Sequence, residues 1–301
     1  MIISIIVPFY NGLKYINNML NQLERNNKNL VKFFCNAKLE VIIVNDSPLI
    51  NLFIDKSEYN YDIYLLNNEE NLGIQKSRIN GLYKAQGEYV IFLDQDDIIS
   101  DFCIVEHAKN IINNNLDISI SNCIIQYNDK SKLLYKNKFY FKKCYNLNSI
   151  IEYRNLILSP GQCMIKKSTI PFEWIKYNLK NNGSDDYFLW IVYFNAKNSA
   201  NIIEKNLYIH TQSSENFSND LFKMYISSKE VVDLITEKKL ISQKNIKKLK
   251  KNFDKYWTLT FASKINKLFF MLAHPIYTIK ILKYHFLNYI QNYDSKLFDG
   301  D

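Results

Sequence analysis

The stretch "NLGIQKSRINGLYKAQGEYVIFLDQDD", residues 71–97, decides how the chain folds. It opens as a polar loop, runs into a helix that Gly87 can close, and continues as the apolar strand "EYVIFLD" of residues 88–94. Three carboxylates, Asp94, Asp96 and Asp97, then crowd into four positions directly after that strand.

The same alternation extends upstream and downstream. "IISIIVPFYN" reads as a strand ended by Pro8, and Asn11 can cap a helix that places Leu13, Ile16, Leu20 and Leu23 on one face. "LEVIIVNDS", residues 39–47, and "IYLLNN", residues 63–68, are further buried strands. After the acids, "DFCIVEHAKNIINNN" carries Ile104, Val105, Ala108, Ile111 and Ile112 at helical spacing. Short, nearly continuous apolar strands alternating with helices predict an α/β fold, a parallel sheet covered on both faces. Such sheets bind ligands at the carboxyl ends of their strands. Those ends are Pro8, Phe9, Tyr10 and Asn11; Asn45, Asp46 and Ser47; Asn68; and Asp94, Gln95, Asp96 and Asp97.

From Asp117 the pattern is mixed. "DISISNCIIQYND" alternates as a strand does, residues 130–158 are weakly patterned, and "SPGQCMIKKS" reads as a turn and a short strand. "SDDYFLWIVYFNAK" begins with a capping Ser184 and two acids before an apolar helix. "NIIEKNLYIHTQSSENFS" gives one more strand and a Ser-rich loop, and beyond Asp220 only helices follow.

With 301 residues, 47% of them hydrophobic, the chain can bury a large core. Its five cysteines form no metal-ligand spacing and read as reduced, mostly buried residues of a cytosolic protein. The apolar start is too short for a signal peptide, and no run of about 18 apolar residues suits a membrane span. The net charge of +8 is concentrated: residues 221–301 hold 15 Lys and 7 acids, and the first 220 residues are neutral overall.

In extended geometry Asp94 and Asp96 would point to one side and Asp97 away. Two carboxylates on one face suit a hard cation such as Mg²⁺ or Mn²⁺, whereas a helix N-terminus also accommodates acids and accounts for Asp97 and Asp101. Asp46 can accept from a base or ribose, or close an Asx-turn. Arg78, one of three Arg, can face phosphate or lie on the surface. Asp185 and Asp186 can cap a helix, or one of them can serve as a general base.

Taken together, these residues resemble the family 2 glycosyltransferases of GT-A fold, across about the first 215 residues. The resemblance rests on "SIIVPFYN", "VIIVNDS", the stretch of residues 71–97 and "SDDYFLW". It implies a GT-A domain over residues 1–218, with a nucleotide-binding half at 1–100 and an acceptor-binding half at 101–218. It also implies an inverting, metal-dependent transfer from a UDP-sugar to a saccharide hydroxyl, such as that of a lipid-linked cell-surface glycan. Pro8, Tyr10 and Asp46 would hold base and ribose, and Asn71, Gly73 and Arg78 would line the nucleotide pocket beside Asp94 and Gln95. Asp94 and Asp96 would be the D-x-D acids that bind ribose and Mn²⁺ or Mg²⁺, and His210 lies where relatives can place a His near metal or phosphates. Asp186 would be the base, although the usual Glu-Asp pair is here Asp185 and Asp186. The Q-x-x-R-W signature of processive polymerases is absent, which points to single-sugar transfer.

Residues 219–301 read as a helical, Lys-rich appendage. Between residues 238 and 283 twelve Lys face one acid, Asp254, interleaved with aromatic residues. This suits the anionic inner face of a cell membrane, with a solvated Lys face as the plain alternative and no nucleic-acid partner expected. Two other functions fit part of the pattern: a sugar nucleotidyltransferase, which needs a Gly-rich phosphate loop that "VPFYNGLKY" does not supply, and a membrane-associated interaction protein with a relic site.

Overall fold

The computed structural model describes residues 1–128, 130–153, 155–212 and 217–289. In chain order the first half runs β1 (Ile2–Phe9), α1 (Leu13–Phe33), β2 (Lys38–Asn45), β3 (Asp62–Asn67), α2 (Ile74–Lys84), β4 (Tyr89–Phe92), β5 (Ile98–Ile99) and α3 (Cys103–Asn114). The chain continues as β6 (Ile118–Tyr127), β7 (Lys130–Leu133), α4 (Lys138–Phe141), α5 (Leu147–Tyr153), β8 (Cys163–Lys166), α6 (Phe172–Lys176), α7 (Asp185–Asn195) and β9 (Ala200–Gln212). Four helices close it: α8 (Leu221–Lys238), α9 (Gln243–Phe261), α10 (Lys264–Ala273) and α11 (Pro275–Tyr289). The Ser-rich loop at residues 213–216 and the last twelve residues lie outside the described residues.

The strands form one sheet in the order β3-β2-β1-β4-β8-β6-β9-β5, with β7 paired to β6. The first four are parallel, as predicted. Beyond them, where the sequence pattern becomes mixed, the mostly parallel sheet turns mixed as well: β8 runs against β4 and β6, and β5 runs against β9. The fold is therefore α/β with a parallel first half and a mixed second half.

Period-two alternation divides the strands between two cores. Ile3, Ile5, Val7 and Phe9 of β1 face Ile16, Leu20 and Leu23 of α1 and Ile104 and Ile111 of α3. Ile6, Ile42, Val44, Val90 and Phe92 face the opposite layer, with Ile79 and Leu82 of α2 and most of α7. Gly81 lets α2 sit close to β1, since a Cβ there would lie 2.4 Å from Ile6 Cγ2. Gly87 is needed for a similar reason, not as the helix stop: α2 ends at Lys84, and a Cβ on Gly87 would meet Ser4 Oγ at 2.3 Å.

Several local expectations change. Pro8 does not end β1 but pairs in register with Val44, and Leu13 and Ile112 are exposed. Asn11 does not cap α1; it takes φ 50° and holds Ser47, whose Oγ accepts its backbone N–H at 2.8 Å. Ser184 occupies the N-cap of α7, but its hydroxyl pairs with Ser228.

The C-terminal region begins as part of the core, not as an appendage to it. Val231, Val232 and Ile235 of α8 and Ile246 and Leu249 of α9 share one buried cluster with Ile150 and Ile151 of α5 and Trp190 of α7. The separation expected at residue 219 therefore has no counterpart in the packing of α8 and α9. Among the described residues no helix is long and apolar enough to cross a membrane.

Candidate active site

The predicted strand ends do converge on one edge of the sheet. β4 stops at Phe92, and residues 94–97 form a turn in which Asp97 N–H donates to Asp94 O at 3.2 Å. The acids therefore lie on a turn and do not alternate as on an extended strand, so strand parity does not fix how Asp94 and Asp96 point.

Asp94 points toward the helical layer. Its Oδ1 accepts from Arg78 Nη2 at 2.6 Å, and its Oδ2 accepts from Ser159 Oγ at 3.1 Å. Arg78 is buried, and its Nη1 donates to Asp185 Oδ2 at 2.7 Å. Its fork thus joins the acidic turn to the start of α7 instead of opening to the cleft. Burial disfavours its charge, but Asp185, Asp94 and Asp186 outweigh that and hold it protonated.

Asp97 is not the ordinary helix-start acid that its sequence position suggests. α3 begins six residues later, at Cys103, with no side-chain cap. Asp97 is 2% exposed and accepts from the Tyr208 hydroxyl, from Thr211 N–H at 2.9 Å, and from His210 Nδ1 at 3.1 Å. Tyr208 also lies 2.8 Å from Ser159 Oγ. A continuous polar chain therefore runs from Asp185 through Arg78, Asp94, Ser159, Tyr208 and Asp97 to His210. Burial works against charge on His210, but Asp97, Asp94 and Asp96 raise its pKa to about 9.

Asp96 is half-buried, and burial with the nearby charges of Asp97 and Asp94 pushes it up to about 6. That crowding of negative charge fits a hard cation. Asp94 and Asp97 are already engaged, His210 Nδ1 is paired with Asp97, and among the described residues no group of three His, Cys, Asp or Glu side chains is set to hold a metal. What these residues leave for a Mg²⁺- or Mn²⁺-type ion is the Asp96 carboxylate, and the other ligands would have to be a ligand's phosphates and water, as when Mg²⁺ takes one or two carboxylates plus substrate oxygens.

Asp46 is buried and fully engaged. It accepts from Asn68 Nδ2 and Leu72 N–H, both at 2.8 Å, and from Gly73 N–H at 2.9 Å. It thereby shapes the 68–73 loop. Asn71 Oδ1 also accepts from Gly73 N–H, at 3.1 Å. Gly73 has φ 85°, a conformation suited to glycine, and a Cβ there would lie 2.6 Å from Asn182 Oδ1. Across the cleft, Gln95 ties the end of β4 to the end of β1: its amide accepts from Tyr10 N–H at 3.1 Å and donates to Tyr10 O at 2.9 Å. Gly12 makes room for it. Tyr10 is about half exposed at this rim, and Pro8, two residues earlier on β1, is half-buried.

The two acids of α7 differ. Asp185 is buried and neutralised by Arg78. Asp186 accepts from Asn155 Nδ2 and its neighbour's N–H, both at 2.7 Å. Burial and the Asp185 charge raise its pKa, against the lowering effect of Arg78. Sequence reasoning missed Asn155, Ser159 and Tyr208; the first two sit in or beside the weakly patterned stretch, where only "SPG" signals a turn. It also missed Glu230 of α8, which accepts from Lys180 N–H at 2.7 Å and Asn181 N–H at 2.9 Å and so fixes the loop that reaches Gly73.

A parallel half-sheet with acids at its carboxyl edge, joined through Arg78 to a helix that begins with paired acids, defines a GT-A type of protein. The family described as "Glycosyl transferase family 2" matches residues 4–170, and the chain belongs to it. Glycosyltransferase GlyA of Streptococcus pneumoniae is 25% identical over 221 residues, covering 69% of this chain and 30% of GlyA. The poly(ribitol-phosphate) beta-N-acetylglucosaminyltransferase TarS of Staphylococcus aureus is 30% identical over 118 residues, 38% of this chain and 20% of TarS. The chain thus spans less than a third of either relative. The structure of a TarS fragment in complex with UDP-GlcNAc shares the fold, with a TM-score of 0.58 and 19% identity over 87% of this chain and 74% of that one. A mannosyltransferase from Pyrobaculum calidifontis, solved with GDP-Man and Mn²⁺, gives a TM-score of 0.51 at 12% identity over 95% of this chain and 84% of that one.

Proposed function

We propose that the chain moves a single sugar, with inversion, from a UDP-sugar to a hydroxyl of a saccharide acceptor, one carried on a lipid at the inner face of a cell membrane. Family membership supports sugar transfer, and the UDP-GlcNAc complex of TarS supports the nucleotide. The observation that carries the reading is the double contact of Arg78, which holds the acidic turn after β4 against the paired acids that open α7.

Asp186 is the base. Its raised pKa brings it closer to the working range of a proton acceptor, whereas Asp185 is committed to Arg78. The acceptor hydroxyl loses its proton to Asp186 as its oxygen attacks the anomeric carbon, and the nucleoside diphosphate departs from the opposite face. A divalent ion, when bound, neutralises charge developing on that leaving group. Asp96 would hold it, since Asp94 is committed to Arg78 and Ser159. Asp46 and Gln95 shape the two loops that flank the nucleotide.

Calorimetry against a panel of nucleotide sugars, with and without Mn²⁺, tests this. UDP-sugars are expected to bind with Mn²⁺ and far more weakly without it. Metal-free binding and transfer that survive Asp96→Asn would overturn the metal site.

A further inference from the structure

α10 and α11 present their apolar side chains outward. On α10, Ile265, Leu268, Phe269 and Leu272 recur at helical spacing and are exposed, Leu272 by 70%. On α11, Ile276 and Ile279 continue the face, Ile276 at 74% exposure. Two polar side chains of α11 are engaged within the fold: Lys280 reaches Glu152 at 2.9 Å, and Thr278 Oγ1 donates to Met271 O at 2.9 Å. Phe270 and Tyr277 meet edge to face at 6.2 Å between the helices, and Lys255 of α9 lies over the Tyr277 ring at 5.2 Å. The pair thus contacts the rest of the fold through Lys280 and Tyr277, while these six apolar side chains are left exposed.

Patches of this kind mark interaction sites. Charge selects the occupant: residues 238–283 hold twelve Lys and one acid, and Lys244, Lys247, Lys250 and Lys251 of α9 and Lys264 of α10 are exposed. An apolar helical face in so basic a setting complements an anionic lipid surface, into which such faces sink without spanning it.

We propose that α10 and α11 dock on an anionic membrane surface through the face formed by Ile265, Leu268, Phe269, Leu272, Ile276 and Ile279. The proposal deepens the lipid-linked-acceptor reading and rests on it for its purpose, yet its test needs no turnover. The full chain is floated with vesicles of phosphatidylcholine alone and with vesicles containing about one-third phosphatidylglycerol. Capture by the anionic vesicles only is expected, weakened at high salt. The double substitution Leu272→Asp and Ile276→Asp should lower that capture by about tenfold or more. Both positions are solvent-facing, so the melting temperature and nucleotide-sugar binding should stay unchanged. Three results overturn the proposal: no capture by anionic vesicles, capture indifferent to the substitutions, or a dimer by sedimentation that the same substitutions disperse, which would make the occupant a second copy of the chain. Loss of nucleotide-sugar binding in the wild-type protein with capture intact would sink the functional reading alone.

Discussion

Arg78 and Asp94 meet at 2.6 Å, and the second arm of the same guanidinium reaches Asp185 at 2.7 Å. One buried cation therefore carries two acids from segments 91 positions apart in sequence, which is why its chemistry cannot be divided between them. Arg78→Ala leaves two carboxylates unpaired and is expected to cost about 3 to 5 kcal/mol of stability. Arg78→Lys keeps the charge but not the fork, so stability should recover in part while transfer stays low. Urea unfolding and transfer assays on both variants check this, and a lysine variant with full activity would contradict it.

Asp97 is the second prediction. Its three protein partners tie the acidic turn to β9. Asp97→Asn should lose about 1 to 3 kcal/mol and depress donor binding. A surface cap would lose far less, so an unfolding midpoint equal to wild type would refute the role assigned here.

The pairing of His210 with Asp97 gives stability a pH dependence. The folded-state pKa of His210 is raised from 6.5 to about 9. Its contribution is therefore fully present below pH 6.5 and is lost as pH rises through about 9. Unfolding free energies measured from pH 6 to pH 10 should fall by about 1 to 3 kcal/mol from this group, and His210→Gln should flatten that slope. An unchanged slope in the variant would place the titration elsewhere.

Glu230 links the C-terminal helices to the cleft. Glu230→Ala frees Lys180 and Asn181, which adjoin Asn182 at the Gly73 turn. The expected result is a several-fold weaker donor affinity with the melting temperature lowered by a few degrees at most. Calorimetry with a UDP-sugar reads the first and a thermal scan the second.

The parallel half of the sheet was legible because it is built from local signals: short apolar strands, amphipathic helices, and polar residues at the strand ends. Asp97 was misread because β4 stops two residues before Asp94, so strand parity no longer applied to the acids that follow. The strand partners of β8 and β9 are set by long-range pairing that no local pattern encodes. Ser159 and Asn155 reach Asp94 and Asp186 from loops, where a single hydrogen bond leaves no periodic trace. The basic tail was recognised by charge. That α8 and α9 belong to the core depended on Val231, Ile235 and Leu249 finding partners on α5 and α7, which only the folded chain displays.

The central claim is that Asp186, and not Asp185, takes the acceptor's proton. Single-turnover transfer and donor binding, measured side by side on Asp186→Asn and Asp185→Asn, test it most directly. Asp186→Asn should slow transfer by about 10² to 10⁴ and leave UDP-sugar affinity nearly unchanged. Asp185→Asn should instead weaken stability and donor binding together, because it unpairs Arg78. Near-normal transfer by Asp186→Asn, or selective loss of transfer in Asp185→Asn with donor binding intact, would contradict the assignment.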